Sequence, residues 1–352
     1  EYFDAYRIDH ILGFFRIWEI PQEDIWALKG SFYPAMPYFP HDLQQKGLRW
    51  NEKRYTEPYI DKEYISTLFH ENMEKVLQLF FEKDKYDRVV FKSEFDTQRK
   101  IENYFQQNKK AFGSDFEMVK KGLFELNCNV LFVRDNRNEN MFHPRISVHS
   151  SNSFKALSQE QQQILDAIYV DYFYHRHNEF WKQKAYEKLP AIKGATQMLS
   201  CAEDLGMVPD SVAEVLQNLE ILSLEIQRMP KKSNQRFGVP CEYPYLSVCT
   251  TSTHDMNPIR AWWKEDKATT EDFYYNVMGG NEQVPQNCSG EMVEKIVKQH
   301  LQSNSMFTIL PLQDWLAMDE NIRLQDEDKE RINTPSNPNN FWSYRMHLTL
   351  NE

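Results

Sequence analysis

Three short runs in this chain read as β-strands and stop abruptly in acids: YRID at 6–9, ATQMLSCAED at 195–204 and YLSVCTTSTHD at 245–255. Two more strand-like runs, ILSLEIQRM at 221–229 and MFTILPLQDWLAM at 306–318, fall in the same part of the sequence. Helical stretches separate them. PDSVAEVLQNL at 209–219 is one, with Pro209 and Asp210 at its start, where a helix tolerates a missing N–H and favours a negative charge. Strands alternating with helices predict βα units and a parallel sheet. Such folds set their chemistry at the C-terminal ends of the strands. Asp9, Glu203 with Asp204, and His254 with Asp255 stand at those ends.

Between the first two acid-ended runs the texture is different. Pro34, Pro37 and Pro40 break the chain, and helical patterns follow to about residue 190. In YISTLFHENMEKVLQLFFEKD (64–84), Ile65, Leu68, Phe69, Met73, Val76, Leu77 and Phe80 form one helical stripe. Residues 157–190 read as one long helix, with Ser158 as N-cap, Gln161 at the capping-box position and Pro190 beyond its end. The expected organisation is therefore 1–35, 36–190 as a mainly helical insertion, and 191–352.

Composition narrows the function classes. With 352 residues, 41% of them hydrophobic and 14% aromatic, the chain can bury a large core and still present rings to a ligand with apolar faces, such as a sugar. A net charge of −11 argues against a phosphate-backbone partner, so no nucleic-acid binding is expected. The 5 cysteines are odd in number and scattered, and no CxxC occurs. That suits free thiols in a reducing, cytoplasmic setting better than a disulfide scaffold or a structural zinc site. No apolar run is long enough to span a bilayer, so no membrane partner is expected.

Three acids on one edge of a sheet leave three readings open. They can bind a hard cation such as Mg²⁺ or Ca²⁺. They can perform glycoside chemistry, which needs a carboxylate pair across the scissile bond. Or each can cap a helix or pair with an arginine.

Five ordered segments carry a resemblance: FDAYRIDHILGFFRIWEIP, CAEDLG, STHD, ILPLQDWLAM and RINTPSNPNNFWSYRM. They resemble the catalytic and closing segments of the 4-α-glucanotransferases, the amylomaltase or disproportionating-enzyme family (glycoside hydrolase family 77). The chain runs much further from Asp9 to Glu203 than in simple bacterial amylomaltases. In this it resembles the plant cytosolic disproportionating enzyme and its bacterial relatives, and 36–190, with FHPRI and DYFYHRHNEFW, resembles their insertion.

The resemblance implies a partial (β/α)8 TIM barrel in the α/β class, beginning near the fourth strand. Asp9 would end that strand, Glu203 the fifth and Asp255 the seventh. It implies Asp9 as nucleophile, Glu203 as general acid/base and Asp255 as transition-state stabiliser, with Arg7, His10 and His254 binding substrate and no metal or cofactor. Arg7, two positions before Asp9, shares its strand face and would keep it ionised. Glu203 would need a raised pKa to hold its proton. The partners implied are maltose, maltodextrins and glycogen-like glucans. An α-glucan hydrolase would use the same residues, and a catalytically silent glucan-binding or structural fragment is the other alternative. On this reading the chain is a C-terminal catalytic portion, and its open sheet edges predict a dimer or association with the earlier barrel strands.

Other signals have simpler expectations. Trp18, Trp262 and Trp263 lie near the motifs, as aromatic platforms or as core. His175-Arg176-His177 reads as packing or surface, because i and i+2 on a helix point to different faces. Asn287-Cys288-Ser289 is a formal glycosylation sequon with nothing to support its use.

Overall fold

A computed structural model describes residues 2–232 and 234–349. The chain divides into two compact units: residues 1–14 with 185–352, and residues 15–184.

The first unit carries five parallel strands: β1 (Ala5–Ile8), β2 (Leu199–Ala202), β3 (Ser223–Ile226), β4 (Ser247–Thr250) and β5 (Phe307–Thr308). β1 pairs with β2 from Ala5 opposite Leu199 to Ile8 opposite Ala202. A single parallel bridge, Cys201 to Leu222, joins β2 to the residue before β3. β3 pairs with β4, and β4 with β5, again in parallel. Neighbours in sequence are therefore neighbours in space, and all five strands point the same way. The acids that end β1 and β2 thus share one edge of the array with the loop that follows β4.

Parallel strands covered on both faces read as continuous apolar or small runs. β4, SVCT, is buried at all four positions. In the same unit the helix Gly290–Leu301 packs Val293, Ile296 and Val297 with Ile259, Trp262, Trp263 and Phe273. The helix Ser211–Asn218 starts where its Pro-Asp signal predicts. The run at 306–318 is strand only at Phe307–Thr308 and turns into a helix at Leu312–Leu316 after Pro311.

The second unit has its own core. Three antiparallel hairpins pair Ile17–Glu19 with Ser31–Tyr33, Phe81–Lys83 with Val89–Phe91, and Phe132–Arg134 with Phe142–Pro144. Phe69, Phe80, Phe105, Val119 and Leu123 are fully buried together. Gly122 lets helix Phe116–Asn127 approach this cluster: a Cβ there would lie 2.7 Å from the Phe69 ring.

Two long helices expected in this unit are segmented. The stripe at 64–84 buries Ile65, Phe69, Val76 and Phe80 as its periodicity predicts. However, the helix ends at Phe69, resets through His70 at a positive φ of 46°, and resumes over Met73–Phe80. Phe81 then leaves as a strand, pairing with Phe91 of Val89–Phe91. The capping box of Ser158 and Gln161 forms as expected. Yet that helix passes at Val170 into a π-turn over Asp171–His175, restarts at Asn178–Tyr186, and Pro190 sits in the first turn of the next helix, Leu189–Gly194.

Candidate active site

Asp9 is the first residue past β1. Arg7 Nη2 donates to Asp9 Oδ1 at 2.8 Å, the same-face contact predicted by strand alternation. The Asp9 side chain is 81% exposed. His10 follows with its backbone in the left-handed region, at φ 48°, which is uncommon for a residue with a Cβ. This conformation turns two successive N–H groups toward Glu203. His10 N–H donates to Glu203 Oε2 at 3.1 Å, and Ile11 N–H to the Glu203 carbonyl at 3.0 Å. Glu203 N–H in turn donates to the Ile8 carbonyl at 2.9 Å. The ends of β1 and β2 are thereby locked together, with Asp9 and Glu203 at the same junction.

Glu203 is half-buried, and its second oxygen, Oε1, accepts the Leu205 N–H at 3.1 Å. The turn that allows this continues through Gly206 at φ 100°, a conformation that favours glycine. Asp204 plays a different part from its neighbour. It is 2% exposed, accepts the Leu224 N–H of β3 at 2.9 Å and pairs with Lys231 Nζ at 2.6 Å. One acid of the pair serves the site edge and the other anchors the next strand.

Asp255 lies in the loop after β4 and is exposed. His254 Nε2 stands 3.2 Å from its Oδ2, and Asn333 Nδ2 donates to its Oδ1 at 2.6 Å. The His254 ring lies 4.8 Å from the ring of Trp342, which is 61% exposed. A cleft of about 350 Å³ beside the loop is lined by Ser252, Thr253, His254, Pro311, Leu312 and Glu330.

The six residues expected at the site thus form two groups on one edge of the array: Arg7, Asp9, His10 and Glu203 at β1 and β2, and His254 and Asp255 after β4. Sequence reasoning missed Asn333 and Trp342. Both sit within the closing segment RINTPSNPNNFWSYRM, which was the signal available. Trp262 and Trp263 are 7% and 3% exposed and belong to the core, not to a platform. Trp18, in the second unit, packs edge-on against Phe32.

His177 is also structural. Its Nδ1 meets the Tyr172 carbonyl at 2.8 Å, its Nε2 accepts the Met36 N–H at 2.9 Å, and its ring stacks on Trp181. Among the described residues no cluster of His, Cys, Asp and Glu could hold a metal ion, and no helix is long and apolar enough to cross a membrane.

The family model for 4-alpha-glucanotransferase, glycoside hydrolase family 77, matches residues 1–349. The 4-alpha-glucanotransferase DPE2 of Oryza sativa subsp. japonica is 37% identical over 352 residues, covering 99% of this chain and 37% of that protein. The 4-alpha-glucanotransferase of Chlamydia pneumoniae is 31% identical over 169 residues, covering 47% of this chain and 32% of that protein. Among solved structures, the amylomaltase from Streptococcus agalactiae in complex with acarbose shares 20% identity over 49% of this chain and 32% of that one, at a TM-score of 0.35. The chain spans about a third of the length of the curated relatives it matches. The match of the family model along nearly the whole chain makes it a member of glycoside hydrolase family 77, the 4-alpha-glucanotransferases.

Proposed function

We propose that the protein containing this chain is a retaining 4-α-glucanotransferase. It moves glucosyl or α-1,4-glucan units from maltose or maltodextrins to a glucan acceptor. The observation that carries this reading is the junction of β1 and β2, where the His10 and Ile11 N–H groups hold Glu203 beside the residue that follows Asp9's strand. Retaining glycoside chemistry needs two carboxyl groups close together at one sugar carbon.

In the first step Asp9 attacks the anomeric carbon. Glu203 gives its proton to the leaving glycosidic oxygen, and a glucosyl–Asp9 ester forms. In the second, Glu203 takes the proton of the acceptor hydroxyl, whose oxygen attacks the same carbon and releases Asp9. Asp255 faces the oxocarbenium-like charge in both steps. Arg7 orients Asp9 through its ion pair, and His10 and His254 bind the donor sugar.

The five parallel strands in sequence order support reading the first unit as strands four to eight of a (β/α)8 barrel. One strand, β3, then lies between those of Glu203 and Asp255, as that numbering requires. The second unit reads as the insertion. The rice relative aligns along 99% of the chain and the chlamydial one along 47%, which supports the insertion-bearing type. All five cysteines are free thiols, in keeping with a cytoplasmic enzyme.

The test uses the full-length protein with maltose as donor and glycogen as acceptor. Asp9→Asn and Glu203→Gln should each abolish glucose release, and normal turnover in either sinks the assignment. A second reading, α-glucan hydrolysis, would use the same residues. Product analysis separates the two: longer oligosaccharides or glucosylated glycogen mean transfer, and glucose alone means hydrolysis.

A further inference from the structure

The loop that carries Asp255 is exposed at its middle and tied down at both ends. Arg228, just past β3, donates Nε and Nη2 to the Thr251 carbonyl at 3.1 and 2.8 Å, and Nη2 to the Asn257 carbonyl at 2.8 Å. Its guanidinium lies 4.9 Å from the centre of the Trp262 ring. Asp314, in the helix that follows β5, is fully buried. It accepts the Thr251 hydroxyl on Oδ2 at 2.5 Å and the Ile259 N–H on Oδ1 at 2.9 Å. One cation and one anion, brought from two other strand ends, therefore bracket residues 251–259, and His254 and Asp255 sit between the tied points.

Neither group belongs to the acids that end the strands: Arg228 lies in the turn after β3, and Asp314 in the short helix Leu312–Leu316 after β5. What they share is the loop. An exposed acid on a polar loop has little apolar contact to fix it, so besides its contacts with Asn333 and His254 its position depends on where the ends of the loop are held. A displacement of about 1 Å in a reacting geometry can lower a rate about 10²-fold.

We infer that Arg228 and Asp314 are positioning residues for Asp255, acting on the reaction through the loop they bracket and not by contact with the sugar. The inference rests on the reading of Asp255 as transition-state stabiliser. Arg228 is suited to its part because a planar guanidinium can address two carbonyls at once. A lysine keeps the charge and loses the fork. Burial lowers the Arg228 guanidinium to about 10 and raises the Asp314 carboxyl, and each lies in the other's field. The bracket is thus a pair of opposite charges that favour each other's ionised form.

The experiment compares Arg228→Lys and Thr251→Val in full-length protein, each alone and each combined with Asp255→Asn. Maltose is the donor, enzyme concentration is high, and folding is checked by circular dichroism and thermal unfolding. Arg228→Lys should lower kcat about 10²-fold while KM for maltose moves less than about 3-fold. Thr251→Val, which frees one end from Asp314, should lower kcat about 10-fold. In the Asp255→Asn background either change should cost less than about 3-fold more, since the residue it positions is already disabled.

A folded Arg228→Lys with near-normal kcat overturns the inference. So does a loss that repeats in full on an impaired Asp255→Asn enzyme, while leaving the assignment of Asp255 standing. Normal turnover by Asp255→Asn alone overturns that assignment and the inference with it. If Arg228→Lys does not fold, Thr251→Val gives the same outcomes through the loss of a single hydroxyl.

Discussion

His10 contributes its backbone in this structure: its N–H donates to Glu203 Oε2, at a residue whose φ is positive. A side chain named for sugar contact thus has a second task that its letter in the sequence does not reveal. Asn333 is comparable. It is 4% exposed and donates to Asp255 Oδ1, and its own amide oxygen accepts from Asn340 Nδ2 at 3.0 Å, which fixes the direction of the amide. Asn333→Ala in the full-length enzyme should lower kcat about 10-fold with little change in KM, because it loosens the residue proposed to stabilise the transition state. Asn333→Asp should be worse, since it sets a second carboxylate against Asp255. Steady-state kinetics on maltose check both, and an alanine variant with full kcat refutes the role. Asp9, Glu203 and Asp255 were legible because each follows a strand-like run at a position where chemistry gathers. Asn333, Arg228 and Asp314 were not, because their partners lie far away in sequence and only the packed sheet brings them together.

Among the elements, sequence periodicity found the right faces more readily than the right ends. The stripe at 64–84 buries its apolar residues, but the segment breaks at His70 and leaves the helix at Phe81, which pairs as a strand with Phe91. The capping box at Ser158 formed because its signal is local, complete within four residues. The π-turn that ends this helix depends on packing around Tyr172 and Phe173, which no local signal carries. At the end of β2 the local signal is Gly206. A Cβ there would meet no atom within 4 Å, so Gly206→Ala tests backbone conformation with no steric clash. At φ 100° the substitution should cost about 1–2 kcal/mol of stability. It should also lower kcat by shifting the Leu205 N–H away from Glu203 Oε1. Thermal unfolding and kinetics measured together check this, and an unchanged melting temperature contradicts it.

For the whole molecule, the alternation of strands and helices after residue 190 foretold a parallel array, and the sequence order of the five strands followed. The compactness of residues 15–184 was less legible, because its hairpins are short and lie among helical patterns. That unit is one continuous segment with its own aromatic core, so residues 15–186, which keep its last helix whole, should fold alone. The buried His177 gives this fold a pH signature. Burial lowers its pKa from 6.5 to about 4, and its Nε2 must stay unprotonated to accept the Met36 N–H. Between those values the unfolded chain binds the proton and the folded one does not. Stability is therefore full above pH 6.5 and falls toward pH 4, by up to about 1.4 kcal/mol per pH unit and about 3 kcal/mol in all. His143, also lowered by burial, adds to the loss in the same direction. His177→Gln should be less stable at neutral pH and should lose less on acidification, since one of the protons driving the change is gone. Urea unfolding of both proteins across this range measures the two slopes. Equal slopes would show that His177 is not the buried neutral group, and a non-cooperative transition would show that the segment does not fold alone.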